Sequence, residues 1–113
     1  MLAMVCGPVG VEDLTRIPDK RITASTYYDS NYYPFYGRLN GKRGLHGAWC
    51  SRNPDDRTGY LEVDMGSVHV ICAVATQGAA GSDVKVTSYK LKLSREGSTY
   101  YFYMEDNTVK VNE

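Results

Sequence analysis

The sequence predicts an all-β domain, an antiparallel sandwich or barrel, and three observations carry that reading. No window places apolar residues at i, i+3, i+4 and i+7; several segments alternate apolar and polar residues with period two; and Gly, Pro, Asn and Asp turns separate short strand-like runs. At 113 residues the chain can bury one core and is too short for two, so a single domain is expected.

The elements follow in order. In residues 60–65, Leu61, Val63 and Met65 face one way while Glu62 and Asp64 face the other, as in a strand with one wet face, and Gly66 ends it. Residues 68–76 are apolar at nearly every position, which reads as a central strand buried on both faces and closed by Gln77 and Gly78. Cys72 is then a small core residue, and His69 a half-exposed strand residue. Tyr89, Leu91 and Leu93 alternate with Lys90 and Lys92; Arg95, Glu96, Gly97 and Ser98 supply a turn; residues 99–104 resume as an aromatic strand, giving a β-hairpin. Two stretches resist strand assignment. Residues 26–36 set six aromatic rings around Asp29, Ser30, Asn31 and Pro34, and residues 40–47 are rich in glycine and basic side chains. Both read as long loops, where function concentrates on a rigid scaffold.

Composition narrows the function. Ten tyrosines stand against two phenylalanines and one tryptophan, which favours strands and furnishes loops with rigid rings carrying a polar tip. Thirteen basic residues balance thirteen acidic ones, so no net field draws the chain onto nucleic acid, and any charged contact must be local. Residues 1–5 are apolar but lack a basic flank and are too short for a secretory signal; they form an N-terminal extension, and an export signal would lie outside this sequence. The three cysteines form no Cys-x-x-Cys pair and meet no histidine at zinc-ligand spacing, so no structural metal is expected. Their odd number leaves at least one thiol without an internal partner. His46 and Cys50 lie four apart, but no carboxylate is placed to orient them, so no catalytic residues are assigned. Cys50 reads as a buried thiol or half of a second bridge, and Trp49 as a core filler. Asp55, Asp56 and Asp83 could bind calcium, yet turns favour aspartate for backbone reasons alone, and no cofactor is expected.

Several ordered blocks resemble one family. These are the run from Cys6 to Asp13, then Arg16-Ile17-Pro18-Asp19, Ile22-Thr23-Ala24-Ser25, Tyr36-Gly37-Arg38-Leu39-Asn40 and Gly47-Ala48-Trp49-Cys50. Tyr60-Leu61-Glu62-Val63-Asp64-Met65-Gly66, Val74-Ala75-Thr76-Gln77-Gly78 and Val86-Thr87-Ser88-Tyr89-Lys90-Leu91 follow. Over residues 6–113 the chain is similar to the discoidin, or coagulation factor V/VIII type C, family. The resemblance implies an eight-stranded galactose-binding-like jelly-roll β-sandwich whose loops, here residues 26–36, 40–47 and 78–85, project from one end as spikes. Family members bind anionic phospholipid, collagen or other matrix proteins, and glycans. Their domains usually run further, to a closing cysteine, so the resemblance implies a domain missing its last strands and a Cys6 whose disulfide partner lies beyond Glu113. The blocks at residues 36–39 and 47–50 most resemble the collagen-binding domain of the discoidin domain receptors. By that correspondence Tyr28 replaces an anchoring tryptophan, Tyr32 a small hydroxyl residue, His46 an acidic residue and Ala79 an arginine.

The expected function is therefore an extracellular, non-catalytic recognition or adhesion module for a matrix protein (collagen-like) or glycan. The alternative is peripheral binding to anionic phospholipid through the same spikes, with Lys42, Arg43 and Lys85 on the headgroups. Burying six rings in one loop would require a partner for each buried hydroxyl. Phe35 and Tyr36 are thus expected underneath as support, and Tyr27, Tyr28, Tyr32 and Tyr33 outside, where tyrosine offers contact area at low entropic cost. The expected ligand set is Tyr27, Tyr28, Asn31, Tyr32, Tyr33, Arg43, His46, Gln77 and Lys85; Cys6, Arg38, Trp49, Cys50 and Asp64 are expected to be structural.

Overall fold

A computed structural model describes residues 9–53, 55, 57–83, 85–105 and 108–111. Residues 1–5, Cys6 and Asp56 lie outside that set. The described chain is all-β, as the periodicity predicts: six short strands and two 3-10 turns, Asp19–Arg21 and Pro34–Gly37, with no α-helix among the described residues.

The first ladder joins distant parts of the sequence. Strand β1 (Ile22–Ala24) pairs antiparallel with β2 (Leu61–Val63), Ile22 opposite Val63 and Ala24 opposite Leu61. Three of these six residues are β-branched, which suits a pleated surface. Hydrogen bonds prolong the ladder at both ends, from Ser25 N to Tyr60 O at 3.0 Å and from Asp64 N to Arg21 O at 2.8 Å. Ser25 adds its hydroxyl oxygen, which accepts from Tyr60 N at 2.9 Å. Asp64 caps the following turn by accepting from Gly66 N at 2.8 Å. Ile17, and Ile22 at the start of β1, are 2% and 3% exposed and are the buried apolar residues among those described; Arg38 is buried too.

The expected hairpin forms from β3 (Lys92–Leu93) and β4 (Tyr101–Phe102), in the register Lys92 to Phe102 and Leu93 to Tyr101. Tyr103 N continues it by donating to Leu91 O at 2.8 Å. Directly opposite Phe102, the Lys92 ammonium sits 4.7 Å from its ring centroid. A final ladder pairs β5 (Met104–Glu105) with β6 (Thr108–Val109).

Residues 68–76 depart from expectation. They join no ladder among the described residues, and Val68, Val70, Ile71 and Val74 are 72%, 71%, 39% and 47% exposed. A continuous apolar run encodes a demand for burial but not the strand that will pair with it; here no described strand hydrogen-bonds to this segment. Cys72 is accordingly exposed and disulfide-bonded rather than a small core residue. His69 is exposed outside any strand, its Nδ1 2.7 Å from Ser67 O. Trp49 is half-buried rather than a full core filler, because its indole N–H is directed to a backbone carbonyl of the aromatic loop.

Candidate ligand-binding loops

The aromatic loop is fixed at its base by the segment around Trp49. Trp49 Nε1 donates to Thr26 O at 2.8 Å, Tyr28 N donates to Cys50 O at 2.8 Å, and Arg52 N donates to Thr26 Oγ1 at 3.1 Å. At the tip, Asp29 folds the chain back by accepting from Asn31 N at 2.8 Å through its side chain and from Tyr32 N at 3.0 Å through its carbonyl. Pro34, whose fixed φ suits the first helical position, then starts the 3-10 turn that returns the chain to the core.

The six rings divide into two groups. In the inner group Tyr27 meets Tyr33 edge to face at 5.0 Å; Tyr33 stacks on Phe35 at 5.4 Å and lies 5.6 Å from Tyr36; and Phe35 meets Tyr36 edge to face at 5.1 Å. In the outer group Tyr28 meets Tyr32 edge to face at 5.9 Å, and Tyr32 lies 6.2 Å from the His46 ring of the neighbouring loop. Edge-to-face and offset contacts at these distances satisfy the ring quadrupoles. Tyr27 and Tyr28 are exposed, 42% and 59%, whereas Tyr32, Tyr33, Phe35 and Tyr36 are half-buried. Tyr33 therefore belongs with the supporting rings as much as with the surface.

Residues 40–47 brace this loop from the side. Asn40 takes a left-handed φ of 58°, and Gly47, at φ 56°, could not carry a Cβ without striking the Gly41 carbonyl oxygen. Leu45 N donates to Asn31 O at 3.4 Å. A reciprocal amide pair ties the brace to the third segment: Asn40 N donates to Gln77 Oε1 at 2.7 Å, and Gln77 Nε2 donates to Asn40 Oδ1 at 3.2 Å. Ala80 N donates to His46 O at 3.0 Å, and His46 Nδ1 lies 3.0 Å from Ala80 O. Between these contacts is a cleft of about 200 Å³ lined by Asn40, Gly41, Lys42, Gly47, Gln77, Gly78 and Ala80.

Charge organisation centres on Asp19. Arg43 grips it with a bidentate fork at 3.0 and 2.8 Å, and Arg38 Nη2 donates to the same carboxylate at 2.8 Å while Arg38 Nη1 donates to Val11 O at 2.9 Å. The Arg43 fork, ahead of Arg38, holds the Asp19 carboxyl down at about 2 despite the opposing effect of burial. At the outer group the electrostatics are reversed. Burial, and then the neighbouring Cys50 and Asp29, push the Tyr32 hydroxyl above the ordinary tyrosine value. Burial and Asp29 likewise raise the Cys50 thiol, which is free and half-buried. Both groups are thus held neutral at physiological pH.

Of the expected ligand set, the structure brings Tyr28, Tyr32 and His46 together and places Asn31 at the tip beside them. Tyr27 and Tyr33 form the second group. The Arg43 guanidinium is committed to Asp19 and Gln77 to Asn40, and Lys85 is exposed, with no hydrogen bond or ion pair to the loop among the described residues. Sequence reasoning missed Asp19 as the hub, Asn40 as the latch and Ala80 as the partner of His46, since pairs 24, 37 and 34 residues apart leave no local signal. Among the described residues no three His, Cys, Asp or Glu side chains cluster as a metal site would require.

Comparison with known proteins places the fold in a family. The family model for the F5/8 type C domain matches residues 21–113. The chain is 32% identical over 111 residues to lactadherin of Sus scrofa, covering 91% of this chain and 26% of that protein. It is 34% identical over 109 residues to human EGF-like repeat and discoidin I-like domain-containing protein 3, covering 90% and 22%. It is 35% identical over 109 residues to human neuropilin-2, covering 92% and 11%. The chain thus spans about a quarter of the first two relatives and about a tenth of the third. With most of the chain matched and the described structure all-β, the protein belongs to the F5/8 type C, or discoidin, family of β-sandwich domains.

Proposed function

We propose that this chain is an extracellular, non-catalytic recognition domain that binds a matrix protein of the collagen type, or a glycan, through the outer aromatic group. The observation that carries this reading is the exposed Tyr28 ring meeting Tyr32, which in turn meets His46, on a loop pinned at base, tip and side. Rings held in this way lose little freedom on contact, so their area converts efficiently into affinity. Absence of nucleophilic chemistry is supported by the Cys50 thiol, which burial and the neighbouring Asp29 keep protonated, so it is not poised as a nucleophile. The test is binding of soluble collagen and of an array of glycans to wild type, Tyr28→Ala and Tyr32→Ala. The reading expects binding that weakens roughly tenfold or more in each variant, the scale of an aromatic hot spot. Absence of binding to either class, or equal binding by all three proteins, overturns it.

One observation favours a second reading, contact with anionic phospholipid. Leu45 is 59% exposed on the same loop as the exposed Lys42, an apolar tip with a cation nearby. Sedimentation with phosphatidylserine vesicles at low and high salt separates the two readings. Co-sedimentation that is lost in Leu45→Asp supports membrane binding, and absence from the pellet at both salt concentrations removes it.

A further inference from the structure

We infer that Asp19, acting through Arg43, is the positioning residue for the inner, supporting rings of the aromatic loop and for the brace beside it, an inference that rests on that loop carrying the binding surface proposed above. Asp19 lies in the 3-10 turn ahead of β1, outside all three loops, and touches none of the exposed rings. Its influence is carried by geometry. The carboxylate fixes both Nη atoms of Arg43, and the guanidinium carbon so placed lies 5.3 Å from the Phe35 centroid and 5.4 Å from that of Tyr36. A planar cation at that distance attracts ring faces, and the fork removes the rotational freedom that would otherwise let it leave them.

From Phe35 and Tyr36 the contacts run on to Tyr33 and then to Tyr27, so an unbroken series of ring contacts connects Asp19 to an exposed tyrosine. Arg43 also belongs to the segment whose Leu45 N reaches Asn31 O, so the same anchor holds the brace against the loop tip. Arg38 completes the anchor from the buried side, its guanidinium joining Asp19 to the Val11 carbonyl. The outer group is held differently: Tyr28 hangs from Cys50 O, and His46 from Ala80. The lock should therefore govern the inner group and the brace while leaving the outer pair in place, a division that a merely stabilising ion pair would not produce.

Amide hydrogen exchange and tyrosine ring NMR on the whole chain without ligand test this in Arg43→Met, which keeps the stem and the Asp19–Arg38 pair but removes the fork, and in Arg43→Lys. Arg43→Met should speed exchange at Tyr36 N and Leu45 N about tenfold, the scale of a lost local closure, and shift the Tyr27 and Tyr33 ring signals. Ser25 N and Asp64 N, which prolong the β1–β2 ladder, should be unaffected, as should the Tyr28 ring. Arg43→Lys, a point charge without a plane, should fall between the two. Exchange at Tyr36 and Leu45 indistinguishable from wild type, or raised equally at Ser25 and Asp64, overturns the inference. Since no ligand enters this measurement, failure of the wild-type chain to bind collagen or glycans counts against the proposed function alone.

Discussion

Replacing Asp19 by asparagine withdraws one negative charge from between two guanidinium groups while preserving size and one acceptor oxygen. The site amplifies that change, because the Arg38 side chain is 5% exposed and that of Asp19 31%. In the folded chain the carboxyl is depressed from its ordinary 3.8 to about 2, by Arg43 first and Arg38 second, with burial opposing. The Arg43 side chain that contributes most is 48% exposed, so solvent screening cuts what the difference is worth to the folded form to about 1 kcal/mol at neutral pH, against a total on the order of 5–15 kcal/mol. A carboxyl depressed on folding contributes fully above its unfolded value and loses the contribution as pH falls through the folded one. Asp19→Asn should therefore be about 1 kcal/mol less stable near pH 7, with a midpoint about 4–8 °C lower. The gap between the two proteins should narrow from about pH 4 downward and nearly close around pH 2. Urea denaturation followed by far-UV circular dichroism across that range measures it. Equal stabilities at neutral pH, or a gap that stays constant down to about pH 2, would refute the reasoning.

Three further outcomes are expected. The Tyr100 hydroxyl donates to the Glu62 carboxylate, which raises its pKa to about 12; in a spectrophotometric titration the last-ionising tyrosine should move down towards 10 in Glu62→Gln, and an unchanged curve would dismiss the contact. Cys50, raised by burial and by Asp29, should react with iodoacetamide more slowly than free cysteine, with a rate still climbing above pH 9.0; faster reaction than free cysteine would show that its surroundings have been misjudged. Trp49→Phe deletes the bond to Thr26 O and should cost about 1 kcal/mol in urea unfolding while speeding exchange at Tyr28 N and Arg52 N. No cost and no change in exchange would contradict its place at the base of the loop.

How much of this was legible in the sequence depended on range. Alternation placed strands at Leu61–Val63 and on both arms of the hairpin, because period-two patterning is a local property of one strand. The aromatic and glycine-rich loops were legible too, since Asp29, Pro34 and Gly47 act on their own backbone. Residues 68–76 were misread, because apolar content states what a segment requires and not which strand supplies it. Cys72 was misread with them, as its bonding state depends on a partner elsewhere. Arg43 looked like a free cation for a ligand; its engagement with Asp19 depends on two segments meeting in space. Pairings of this kind dominate the site, so the loops were visible in advance and their internal wiring was not.

Trp49 is the single tryptophan in a chain of ten tyrosines, and its indole N–H is bonded to the carbonyl of Thr26, the residue immediately before Tyr27 and Tyr28. Excitation absorbed by the loop tyrosines can pass to an indole this near, and the emission of that indole follows the polarity around its N–H. Intrinsic tryptophan fluorescence in this protein is thus a native, label-free optical report on the base of the aromatic loop. A spectral change on adding a candidate ligand would report on the base of the aromatic loop, where this indole is held.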